Sequence, residues 1–244
     1  MRRAGEGVRR PALKDYLGRS LITMADVTDP ALYEGGIPKR ISALASAAAY
    51  EAAFDATPIA GAFSHQIAPE GIWVGAQSAA GVLASFEDTP DECARCLAEL
   101  RARRISVIIC CCFDDDSPST RIFETAGVTY ASALLSDGSP ASIAASVPAF
   151  MALVERAWPL VVPALARGDH VLVHCNSGMH RSASVALGLL MALRREEGQA
   201  GLARVFAAAV TARPVIRPTF WPLLESPQFA ALCQRLRASA ALPA

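Results

Sequence analysis

Val171-Leu172-Val173-His174-Cys175-Asn176-Ser177-Gly178-Met179-His180-Arg181-Ser182-Ala183-Ser184 is the stretch from which the rest of the chain can be read. The apolar, largely β-branched run 171–173 predicts a buried strand, and the pattern from Ala183 to Leu193 predicts a helix. Between them lies a small-residue loop with Cys175 at one end and Arg181 at the other. A strand that turns through such a loop into a helix N-terminus gathers backbone N–H groups around one point. The positive end of the helix dipole faces the same point, so the arrangement suits a phosphate.

The residue types in the loop fit that reading. A thiol is a useful nucleophile near neutrality only when it ionises, and an isolated cysteine mostly does not. Loop amides, the helix dipole and the Arg181 guanidinium would all favour a Cys175 thiolate. Ser182 can add a hydroxyl hydrogen bond to the sulfur and later help it leave. Arg181 presents a planar fork matching two phosphoryl oxygens. Gly178 lets the backbone approach an anion closely or adopt positive φ. His174 is expected to fix the loop by hydrogen bonds rather than to react. A bare Cys-x5-Arg is a weak signal in a chain with 7 Cys and 23 Lys+Arg. The preceding His, the Gly three positions after the cysteine and the Ser after the arginine make it specific.

The run His174 to Ser182 resembles the signature loop of the cysteine-based protein phosphatase superfamily. It is nearest to the dual-specificity branch, atypical members included. His180 departs from the small residue usual there, which bears on substrate preference and pH response. The resemblance implies a phosphate loop formed by Asn176, Ser177, Gly178, Met179, His180 and Arg181. It further implies Cys175 as nucleophile, Arg181 as clamp, Ser182 as an aid to the sulfur and an aspartic acid upstream as proton donor. Asp137 is expected to be that acid. It sits in Ser136-Asp137-Gly138-Ser139-Pro140, after an expected strand 128–135, and 38 positions before Cys175, somewhat farther than the family's usual spacing. An Asp-Gly pair is also a common turn. Asp114-Asp115-Asp116 form a rival site after the strand 105–112. A metal role for them is open in principle, although the implied chemistry needs neither metal nor cofactor.

Around the loop, the chain alternates strands and helices. The segment 67–75 reads as strand and turn, 90–104 as helix, 105–112 as strand and 128–135 as strand. A helical region at 141–167 should be broken or kinked by Pro148, Pro159 and Pro163. Strand 170–174 and helices 182–195, 202–213 and 226–238 complete the pattern. Arg213-Pro214-Val215-Ile216-Arg217-Pro218 is similar to the family's segment before its last helix. The expected fold is α/β, a single mostly parallel sheet flanked by helices on both faces, with the phosphate loop between a strand and a helix. Residues 1–62 read as a partly disordered N-terminal extension with one helix near 41–54, and 63–240 as the catalytic-type domain.

Composition narrows the function. The chain has 244 residues, 52% of them hydrophobic, and a formal net charge of zero, which gives no sign of a nucleic-acid binder. Seven cysteines in no secreted-type framework predict a reducing interior, cytoplasmic or also nuclear. Cys93 and Cys96 share a helix and read as packing rather than zinc ligands, because no second ligand pair accompanies them. Cys110-Cys111-Cys112 read as core, with a protective disulfide from one of them to Cys175 as a further hypothesis. No membrane span is expected. Tyrosine-specific members of the resembled superfamily build a deep pocket with a long aromatic, lysine-containing recognition loop. No such segment occurs here and lysine is absent after residue 39, so the resemblance implies a shallower cleft. The expected partner is therefore a protein phosphorylated on Ser, Thr or Tyr. Alternatives are a phosphoinositide, RNA or glycan phosphate, a non-catalytic phosphoprotein-binding module, or an arsenate reductase or sulfurtransferase.

Overall fold

The computed structural model describes residues 28–33, 64–76, 90–112, 123 and 126–239. The expected helix at 41–54 and the acidic run 114–116 lie outside them. Five strands form one sheet: β1 (Ser64–Ala68), β2 (Ile72–Ala76), β3 (Ile105–Cys110), β4 (Thr129–Ser132) and β5 (His170–Cys175). Their order is β1-β2-β5-β3-β4. Only β1 runs antiparallel, to β2, while the β2–β5, β5–β3 and β3–β4 pairs are parallel. The segment expected as one strand with a turn is thus a hairpin. Its turn closes through Gly71, whose N–H donates to the Ala68 carbonyl at 3.1 Å and whose φ of +99° no side chain tolerates well.

Helices cover both faces. Helix α1 (Pro90–Ala102) places Leu100 over Ile105, Ile108 and Leu172, while the opposite face packs against α3 (Val147–Ala166) and α4 (Arg181–Arg194). The remaining helices are α2 (Pro140–Ala145), α5 (Gly198–Ala212), the single turn α6 (Trp221–Leu224) and α7 (Pro227–Ser239). β5 is central and buried from Val171 to Cys175. That burial explains why its sequence is an apolar run rather than an alternation. Part of the N-terminal extension is docked: the 3-10 turn Pro30–Tyr33 buries Tyr33, whose ring meets Phe220 edge-on at 6.5 Å.

The prolines meet the expectation only in part. The helical region divides once, at Ser146, and Pro148 falls in the first turn of α3, where its missing N–H costs nothing. Pro159 and Pro163 leave α3 unbroken. Both are exposed, one turn apart, on the face opposite the buried Ala157, Trp158, Val161 and Ala164. The carbonyls they deprive of a partner therefore lie on the solvent side, where water can serve them. By length and composition this 20-residue helix could cross a membrane. Here it buries Phe150, Leu153, Val154 and Trp158 in the domain core.

Candidate active site

Cys175 is the last residue of β5, and its side chain is fully buried. Its Sγ lies 3.2 Å from Ser182 Oγ. Burial alone would raise the thiol. The Ser182 hydroxyl, the Ser182 N–H, the Arg181 charge and the Met179 N–H together outweigh it, holding Cys175 below an ordinary thiol. The cradle expected from the sequence is therefore assembled at α4, whose first residue is Arg181.

Arg181 is itself buried, with 7% of its surface exposed. Its Nη1 donates to the Leu135 carbonyl at 3.1 Å, and its Nε lies 3.1 Å from Asp137 Oδ2. The second contact is an ion pair without the direction of a hydrogen bond. His180 Nδ1 stands 3.5 Å from the same carboxylate oxygen. Burial lowers the His180 pKa, the Asp137 carboxylate opposes this, and Arg181 and Arg217 add to the lowering. Asp137 thus meets the loop mouth despite its distance in sequence, since the two-helix excursion α2–α3 takes up the intervening chain.

The acid-bearing loop is held by serines. Ser136 N–H donates to Ser146 Oγ at 3.1 Å, and Ser136 Oγ–H to Ser142 Oγ at 2.8 Å. Ser139 caps α2 by accepting from the Ser142 N–H at 3.2 Å. Asn176 is exposed and Ser177 half-buried, whereas Gly178 is buried with φ +68°. A Cβ on Gly178 would come within 2.6 Å of both Ala76 N and Gly75 O at the end of β2. The loop therefore rests on strand backbone at that point.

Two residues without an assigned site role in the sequence reading brace the loop from behind. Arg213, 3% exposed, donates its Nε to the Gly178 carbonyl at 3.0 Å and stands 2.8 Å from His65 Nδ1 on β1. The Arg217 N–H donates to the Met179 carbonyl at 2.7 Å. The Arg-x-x-Ile-x-Pro pattern pointed at Arg213, whereas nothing marked His65. The loop role expected of His174 is corrected. Successive side chains of a strand face opposite ways, so a Cys175 turned to the cradle turns His174 to the other face of β5. Neither ring nitrogen of His174 has a hydrogen-bond partner among the described residues.

This architecture is the fold of the cysteine-based, dual-specificity phosphatases. The chain is similar to the crystal structure of DUSP15, with a TM-score of 0.50 and 19% identity over 75% of this chain and 100% of that one. It is also similar to human DUSP28 (TM-score 0.46, 21% identity, 75% and 96% covered). A third such structure is PTPMT1 (TM-score 0.48, 16% identity, 73% and 100% covered). No family model and no curated protein matches the sequence.

Proposed function

We propose that this protein is a phosphatase that hydrolyses phosphate monoesters on Ser, Thr and Tyr of phosphoproteins through a phosphocysteine intermediate. The observation that carries the reading is a buried cysteine held below the ordinary thiol range at a helix N-terminus, with Arg181 and Asp137 paired at its mouth. The Cys175 thiolate attacks phosphorus in line, forming the S–P bond as the ester P–O bond breaks. Asp137, in its protonated form, gives the leaving oxygen its proton. The resulting carboxylate takes a proton from water, which attacks phosphorus and releases phosphate and thiolate. Loop amides and Arg181 stabilise the equatorial oxygens throughout. An arriving phosphoryl group gives Arg181 a second anionic partner and frees Asp137 to turn toward the leaving oxygen.

Turnover of a chromogenic aryl phosphate tests the reaction. It should vanish in Cys175→Ser while orthovanadate still binds that variant. Activity surviving in Cys175→Ser would sink the mechanism. Phosphopeptides should be turned over in preference to inositol phospholipids, because the segment Asn176 to His180 carries no lysine to meet extra ring phosphates.

A further inference from the structure

The face of the sheet turned away from the reactive loop holds a second cluster of polarisable groups. Cys110 at the end of β3 is registered opposite His174 on the adjacent parallel strand β5. Residues two apart on a strand share a face, so Cys112, in the turn just beyond β3, continues the same row. The Cys110 and Cys112 sulfurs and a His174 ring nitrogen all lie within 4.8 Å of one another, and all three residues are buried. The Cys112 N–H donates to Cys110 Sγ at 3.4 Å. Ordinary core packing accounts for Cys111, which is fully buried with its thiol raised by that burial. It does not account for His174, whose imidazole is 0% exposed and whose ring nitrogens meet no donor or acceptor in full hydrogen-bond geometry among the described residues. Leaving one buried polar atom unsatisfied costs roughly 1–3 kcal/mol, so an aliphatic residue would serve a plain core better.

We propose that Cys110, Cys112 and His174 form a binding site for a thiophilic d10 cation, zinc first of all, separate from the reaction centre. Two thiolates and one imidazole are a recognised zinc donor set, with a fourth position left for water or an external thiol. Bond lengths of about 2.3 Å to sulfur and 2.0–2.1 Å to nitrogen put tetrahedral ligand atoms roughly 3.5–4 Å apart. Closing the cluster on an ion therefore needs a movement on the order of 1 Å. Cys112, beyond the strand's last paired residue, has the freedom to make it. The metal also gives the buried imidazole a partner that no described residue supplies in full hydrogen-bond geometry.

The test is cobalt and zinc binding by the full-length chain under reducing conditions. Cobalt(II) should bind at about one equivalent per chain, with thiolate-to-cobalt charge-transfer bands and the intense visible bands of a four-coordinate ion. Zinc should displace it and raise the thermal midpoint. Cys110→Ser and Cys112→Ser should each weaken binding at least about a hundredfold, beyond the roughly 10–100-fold loss expected for an outer-shell change. They should also abolish the zinc-dependent rise in midpoint. Cys111→Ser, Cys175→Ser and the Cys93→Ser/Cys96→Ser double variant should keep both the spectrum and the midpoint shift. If Cys112→Ser fails to fold, Cys110→Ser and the spectrum alone decide. Loss of the cobalt bands in Cys175→Ser would assign the metal to the nucleophile and overturn the proposal. Their loss in the Cys93/Cys96 variant, or no stoichiometric binding in the wild-type chain, would overturn it as well. None of these readouts requires turnover, so they stand or fall independently of the phosphatase reading.

Discussion

Gly178→Ala tests whether the reactive loop owes its shape to contact with the strand beneath it. The added methyl meets two costs. At φ +68° an L-residue is strained by about 1–2 kcal/mol. The new Cβ also lies within 2.6 Å of Ala76 N and Gly75 O, which are sheet backbone and cannot turn aside as a flexible side chain would. Overpacking of this kind costs roughly 1–3 kcal/mol. The sum, about 2–5 kcal/mol, should lower the thermal midpoint by roughly 4–20 °C in a chain of this size. Because relief comes from lifting the loop, the Met179 and Ser182 amides should draw away from Cys175. Urea unfolding measures the first effect, and the pH dependence of iodoacetamide alkylation measures the second. The alkylation midpoint should move up toward that of an ordinary thiol. An unfolding curve within about 0.5 kcal/mol of wild type, with an unchanged alkylation midpoint, would refute the reasoning.

Three further outcomes are expected. Asp137→Asn should cut kcat on a phosphoserine peptide by about 10²–10⁴-fold, and much less on an activated aryl phosphate, when the two substrates are compared in parallel. Ser182→Ala removes the hydroxyl 3.2 Å from Cys175 Sγ. A hydrogen bond to a charged group is worth about 1.5–3 kcal/mol, so kcat should fall roughly tenfold or more, with the alkylation midpoint rising. His180 has its folded-state pKa lowered below 6.5, chiefly by burial. The unfolded chain then takes up that proton first, so stability falls as pH drops below 6.5. Thermal melts should show a smaller loss between neutral and acid pH in His180→Asn than in wild type.

The strand–loop–helix at the reaction centre was legible because it is local. Its chemistry depends on residues within eight positions and on a strand and helix that immediately flank them. The position of Asp137 near the loop was legible from its place after a strand, although only the folded chain brings it to within 3.1 Å of Arg181. Arg213 and His65 were not readable as partners, because the 2.8 Å contact between them joins positions 148 apart. The prolines of α3 misled for a related reason. Pro159 and Pro163 break hydrogen bonds wherever they occur, but the cost depends on which side of the helix the orphaned carbonyls face. Only packing decides that. His174 misled through strand alternation: adjacency to Cys175 in sequence puts its ring on the opposite side of the sheet.

The braces behind the reactive loop give the protein a timetable. Cys175 is polymerised 38 residues ahead of Arg213, and at about 5–20 residues per second that is an interval of roughly 2–8 s. Until Arg213 and Arg217 reach Gly178 and Met179, the loop lacks two of the contacts that hold it from behind. The loop therefore takes its finished shape only after a stretch of chain well beyond it in sequence has been made.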